Sequence, residues 1–149
     1  MGMYAALGIS ASGLSAQRLR MDVIANNLAN VDSTSGPGQA FRRKEIMMTT
    51  APGAANFSLP GGLGATPIAT DDLTGVQVAG IEEDTHTPMR RVYEPGHPQA
   101  DAKGYVTKPN VNAVTEMVDL VAATRSYQAN VTTFDATTQM ALETLKVMR

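Results

Sequence analysis

Ten positions near the C-terminal end, Met117, Leu120, Thr124, Tyr127, Val131, Phe134, Thr138, Ala141, Leu145 and Met148, alternate spacings of three and four without a slip. Eight are apolar, and the two threonines carry methyl groups that can pack. A sustained 3–4 alternation points to an α-helix that presents one seam to a partner helix. Pro109, Asn110 and Asn112 supply a start signal for it. Glu116 and Asp119 lie in its early turns and Lys146 and Arg149 in its last, the order that the helix dipole favours. A helix from about Ala113 to Met148 would be roughly 54 Å long at about 1.5 Å per residue. A chain of 149 residues cannot wrap a core around such an element. It needs a second helix beside it.

The N-terminal end supplies that partner. Leu7, Leu14, Met21 and Leu28 recur every seven residues between Tyr4 and Val31, with Ile24 and Val31 at intermediate positions. Ser10 and Gln17 are polar there, and Gly8 and Gly13 weaken the helix by about 1 kcal/mol each relative to alanine. Asn26, Asn27 and Asn30 crowd its end, all off the seam. A carboxamide both donates and accepts, so three outward asparagines read as a polar surface for contacts between subunits, with Asn30 also helping to end the helix.

Residues 35–108 have a different character. Ala51 to Gly75 holds five glycines and three prolines and no Lys, Arg or Glu, which reads as a flexible loop over 51–74. Gly75 to Ile81 alternates like a strand, with a bulge expected at Gly80, and Met89 to Tyr93 is a second strand. Glu94-Pro95-Gly96-His97 fits a type II turn. The expected fold is mainly α. An axial helix in 1–34 and another in 109–149 pair as a coiled coil, and a β-rich, partly irregular insert over 35–108 lies between them.

Little in the chain supports chemistry. A net charge of −2 gives no electrostatic case for nucleic acid, and Arg42-Arg43-Lys44 reads as a solvated strand face. Cysteine is absent, which removes thiolate ligands and nucleophiles. His86 beside Glu82-Glu83-Asp84 matches no metal-ligand spacing, and His97 lies in a turn. Gly61-Gly62-Leu63-Gly64 lacks the lysine and helix start of a phosphate-binding loop. Glu116 and Asp119 have no histidine or serine partner and read as solvated helix charges. No catalytic residue, cofactor, metal or small-molecule substrate is expected, and the chain does not read as an enzyme. No apolar run approaches the ~20 residues that span a bilayer, and no cleavable secretory signal opens the chain.

The helices are also short of charge. Arg18, Arg20 and Asp22 are the charged side chains among residues 1–31, and 127–134 and 136–142 have none. Ser, Thr, Asn, Gln and Ala occupy the outer faces instead, where a solvent-exposed helix would carry Lys and Glu. Interfaces between proteins are depleted in Lys, Glu and Asp. This pattern favours an assembly over the alternative of a soluble coiled-coil adaptor, which would need solubilising charge.

Ala25-Asn26-Asn27-Leu28-Ala29-Asn30-Val31-Asp32, preceded by Ser12-Gly13-Leu14-Ser15-Ala16-Gln17, resembles the N-terminal signature of flagellar basal-body rod and hook proteins. Tyr93-Glu94-Pro95-Gly96-His97-Pro98, Pro109-Asn110-Val111-Asn112 and Glu116-Met117-Val118-Asp119-Leu120 resemble the proximal rod members in particular. The resemblance covers about 1–50 and 75–149. It implies a structural subunit of the proximal rod that stacks helically with copies of itself and other rod subunits to form the drive shaft and export channel. It also implies export by the flagellar type III apparatus without signal cleavage, residence in a rod that spans the periplasm, and surrounding ring components as further candidate partners. Another axial rod or hook protein is the nearest alternative.

Overall fold

The computed structural model describes residues 3–34, 40–51 and 75–147. Its elements follow the order α1 (Met3–Ala29), β1 (Lys44–Thr50), β2 (Val76–Glu83), β3 (Arg90–Tyr93), β4 (Tyr105–Lys108) and α2 (Ala113–Val147). Two terminal helices therefore enclose a small antiparallel β insert in the chain order. Asn112 starts α2: its Oδ1 accepts from the Val114 N–H at 3.0 Å, and its carbonyl accepts from Glu116. The last turn of α1 tightens, with the Asn30 and Val31 N–H groups reaching back to Asn27 and Leu28.

The helices run antiparallel, with Gly13 opposite Asn130 and Asn27 opposite Glu116. A Cβ at Gly13 would lie 2.9 Å from Asn130 Nδ2, so the bare glycine sets the closeness of approach. The stripe of α2 withdrawn from solvent is Glu116, Leu120, Ala123, Tyr127, Asn130, Phe134, Thr137 and Ala141. Leu120, Tyr127, Phe134 and Ala141 belong to the expected seam, but its alternate positions are displaced by one residue. Met117 is 53% exposed and Thr124 is exposed, while Val131 and Thr138 are half-buried at the stripe's edge. The reason is steric, because the close approach at Gly13 and Ala16 admits alanine and short polar side chains better than methionine. Leu145 is 64% exposed. Met148 lies outside the described residues. On α1, Ala16, Val23, Ile24 and Asn27 are buried, and Leu7, Leu14, Met21, Leu28 and Val31 are half-buried.

The β1–β2 pair runs from Lys44↔Glu83 to Thr50↔Val76. Its register shifts after Met47↔Gly80, leaving Ala79 unopposed in a bulge beside the expected glycine. The hairpin lies along α1 and is fixed at both ends. At one end Asn27 bonds Lys44; at the other Ser12 Oγ accepts from the Val76 N–H at 3.1 Å. The spans agree: ~22 Å of helix separates Ser12 from Asn27, and ~20 Å of strand separates Lys44 from Thr50.

The second pair, Arg90↔Lys108 to Tyr93↔Tyr105, surrounds the fully buried Val106 and stacks Tyr93 edge-on against Tyr105, ring centres 5.3 Å apart. The 94–97 turn forms, with the His97 N–H bonded to the Glu94 carbonyl, but it is not type II. That type needs positive φ at Gly96, and among the described glycines it is Gly104, at φ 78°, that is left-handed. Gly104 turns the chain into β4 while passing between Tyr93 and Pro95.

Candidate functional site: a buried polar junction and an exposed helix face

Three parts of the chain meet at one end of the helix pair. Asn27, 1% exposed, comes from α1; Arg43 and Lys44 lead into β1; Glu116, fully buried, comes from the first turn of α2. The Asn27 carboxamide bonds both backbone groups of Lys44, its Oδ1 accepting from the N–H at 2.9 Å and its Nδ2 donating to the carbonyl at 2.8 Å. The second Nδ2 hydrogen goes to Glu116 Oε2 at 3.1 Å. Arg43 Nε donates to the other oxygen, Oε1, at 2.6 Å, and its remaining nitrogens approach Asp119 and Glu45 at 3.7 and 3.8 Å. The hydrogen bond to Glu116 raises the Arg43 pKa further above its already high value. Asn110 closes the junction on the insert side. Its Oδ1 accepts from the Arg43 N–H at 2.8 Å, and its Nδ2 donates to the Asp84 carbonyl at 3.0 Å.

These placements revise three expectations. Asn27 does not face outward, because its amide completes the free edge of β1. Glu116 is not solvated, because Arg43 lies against it. Arg43 is not merely a surface cation on a strand. Asn26 is exposed, as an outward residue should be, and Asn30 is half-buried with its Nδ2 bonded to the Asn26 carbonyl at 2.8 Å. The junction was hidden from a linear reading, since Arg43 and Glu116 are 73 residues apart. One signal was available: a glutamate lies one position before the Met117 seam residue.

The histidines and acidic residues of the insert are engaged locally. Asp84 accepts from the N–H groups of His86 and Thr87 and from the Thr87 hydroxyl, which hold its carboxyl below the usual range, the hydroxyl contributing most. His97 Nδ1 accepts from the Gln99 N–H at 3.2 Å. Among the described residues no three His, Asp or Glu side chains are grouped to hold a metal, and no helix is long and apolar enough to cross a membrane. The 52–74 segment, including the glycine cluster at 61–64, lies outside the described residues.

The outer face of α2 is the second feature. Val114, Met117, Val118 and Val121 expose half or more of their surface along the first two turns, and Met140, Leu142, Leu145 and Val147 do so at the other end. Among them, Thr124, Ser126, Thr132, Thr133 and Thr144 each donate the hydroxyl to the carbonyl four residues earlier, as Thr137 and Thr138 do on the side toward α1. Their hydrogen-bonding need is met inside the helix, so methyl groups are what a neighbour would touch. The sequence pattern suggested polar outer faces awaiting partners; the hydroxyls already have them.

Two family models match the chain. One, described as flagella basal body rod protein, matches residues 7–37. The other, described as flagellar basal body rod FlgEFG protein C-terminal, matches residues 102–147. The chain is 40% identical to the flagellar basal-body rod protein FlgC of Borreliella burgdorferi, over all of its own length and 99% of the relative. It is 41% identical to the FlgC of Bacillus subtilis over 99% of both chains. To the FlgC of Escherichia coli O6:H1 it is 45% identical, over 92% of this chain and 91% of the relative.

Proposed function

The chain belongs to the flagellar basal-body rod protein family, and on that footing we propose that it is a structural, non-enzymatic subunit of the proximal rod. It polymerises helically with copies of itself and other rod subunits into the shaft that carries motor torque and surrounds the export channel. The observation that carries this reading is the outer face of α2, with exposed apolar side chains at both ends, internally bonded threonines between them and no charge over 127–134 or 136–142. In the rod, α1 and α2 pair as an axial coiled coil, and neighbouring subunits cover the Val114–Val121 and Met140–Val147 surfaces. Asn26 and Asn30 lie toward those neighbours. The chain is exported by the type III apparatus without cleavage and resides where the rod crosses the periplasm, inside the basal-body rings.

A chain that threads a narrow channel must arrive without long stable helices. Exposed apolar area and back-bonded threonines make the helices marginal before neighbours cover them. The purified chain should therefore show far less helix by circular dichroism than 62 residues in α1 and α2 would give, with both ends open to protease. Full helicity and protease-resistant ends in the free chain would refute this account of export and assembly. A different axial rod or hook protein is the second reading, favoured by the FlgEFG-type match at the C-terminal end. The full-length similarity to FlgC proteins argues for the proximal rod. A label on the insert, located in isolated basal bodies by cryo-electron microscopy, separates the two.

A further inference from the structure

We infer that Asn27, Arg43 and Glu116 form a three-part latch that seats the β1–β2 hairpin on α1 only when α2 is paired there. The Asn27 carboxamide does for Lys44 what a neighbouring strand would do, answering its N–H and its C=O together. The same amide nitrogen holds one oxygen of Glu116, and Arg43 holds the other. Each element thus completes a group belonging to the other two. If α2 leaves, Arg43 loses the carboxylate that faces its guanidinium. If the hairpin leaves, Glu116 stays packed on α1 with one neutral amide for company, and a buried charge without its counterion is strongly unfavourable. Intermediates with two of the three elements assembled are disfavoured for this reason. An apolar cluster in the same place would tolerate them.

The other side of Arg43 shows what stays in place when the latch opens. Its N–H is bonded to Asn110 Oδ1, in the segment leading into α2, and its carbonyl to the Asp84 N–H of the insert. Those bonds involve neither helix. The Arg43 backbone thus stays held when either helix leaves, with the Arg43 side chain and the Lys44 backbone presented to the helices. This inference rests on the junction's geometry and not on the rod reading, so either can fail alone.

The far end of the hairpin reports on the latch. Ser12 lies ~22 Å along α1 from Asn27, and a Cβ at Gly75 would be 3.3 Å from Ser12 Cβ, close enough for a disulfide. The chain has no cysteine of its own, so Ser12→Cys with Gly75→Cys gives a clean cross-link. The full-length purified chain is oxidised with copper phenanthroline in the presence of trimethylamine oxide, an osmolyte that drives the compact state. The parent pair should cross-link readily. Adding Arg43→Met should slow the reaction by about tenfold or more, because Glu116 is left buried without its counterion. Adding Glu116→Met to Arg43→Met should restore it to within about threefold of the parent, since no charge is then stranded. Asn27→Asp, which sets a second carboxylate against Glu116, should slow it as Arg43→Met does. The latch is overturned if Arg43→Met cross-links as fast as the parent, or if the double replacement stays as slow as the single one. A parent that does not cross-link overturns it as well.

Discussion

Gly104 offers the most quantitative test of the insert. It holds φ at 78°, and a Cβ there would come within 2.9 Å of Tyr93 Cε2 and 3.2 Å of Pro95 Cβ. Gly104→Ala places an L-residue in the left-handed region, which costs roughly 1–2 kcal/mol. The backbone cannot relax freely, because the Gly104 N–H is bonded to Asp101 and its carbonyl accepts from Glu94. The Tyr93 ring must move instead and gives up its edge-on contact with Tyr105, worth about 0.5–1.5 kcal/mol. Restricting the unfolded chain returns roughly 0.4–1 kcal/mol. The net loss is about 2 kcal/mol, which for a unit of this size lowers the melting midpoint by roughly 8–16 °C. The Tyr93–Tyr105 pair is a built-in probe, so thermal melting of the purified full chain followed by near-ultraviolet circular dichroism reads the insert directly. Gly104→Asn tolerates the left-handed conformation but carries the same Cβ, and should recover the backbone part of the loss only. If Gly104→Ala melts within two or three degrees of the parent, about a fifth of the loss expected here, the tight passage between Tyr93 and Pro95 is not what shapes this turn.

Three other outcomes follow from the same geometry. Phe134→Asp puts a charge into the half-buried stripe of α2 and should abolish rod incorporation and swimming; normal swimming would contradict the pairing of α1 with α2. Gly13→Ala should impair swimming by crowding Asn130, an overpacking cost of about 1–3 kcal/mol that the ~1 kcal/mol gain in helix propensity only partly offsets, and adding Asn130→Ala should restore it. A double variant no better than Gly13→Ala alone would mean that helix approach is not set at this contact. The carboxyls of Asp84, Asp101 and Glu94 are held below their ordinary values by the Thr87 hydroxyl, the Tyr105 N–H and the Lys108 ammonium respectively. Because these folded-state values are depressed, their contribution is present above the ordinary values of 3.8, 3.8 and 4.5 and is lost as pH falls through the folded ones. The tyrosine circular dichroism signal should hold from neutral pH down to about pH 4.5 and fade below it; loss already between pH 6 and 5 would show that these carboxyls do not govern the insert.

The parts of this fold that announce themselves in sequence are the ones set by local chemistry. Asn112 caps α2 where the start signal placed it, and the bulge in β2 forms beside Gly80 because a residue without a side chain marks it. What escaped a linear reading depends on distant partners. The unbroken 3–4 spacing drew the expected seam through Met117 and Thr124. The actual contact is set by Gly13, Ala16, Ala123 and Thr137, small or weakly apolar residues whose value lies in how near they let the backbones come. Glu116 looked like an ordinary early-turn acid because nothing within a helical turn predicts Arg43. Asn27 looked like its exposed neighbour Asn26, one residue and about 100° around the helix away. β4 is four residues long and carries two polar side chains, too brief for an alternation to register.

The threonines of α2 have a mechanical consequence. A hydroxyl that competes for the carbonyl four residues back loosens the helical ladder at that turn and favours a slight bend. Six threonine bonds and one from Ser126, spread from Thr124 to Thr144, leave the helix compliant over most of its length. A straight, stiff helix of alanine and leucine would suit one fixed position in a lattice. A compliant one can take up small differences in curvature between successive positions, absorbing misfit by bending rather than by breaking contact.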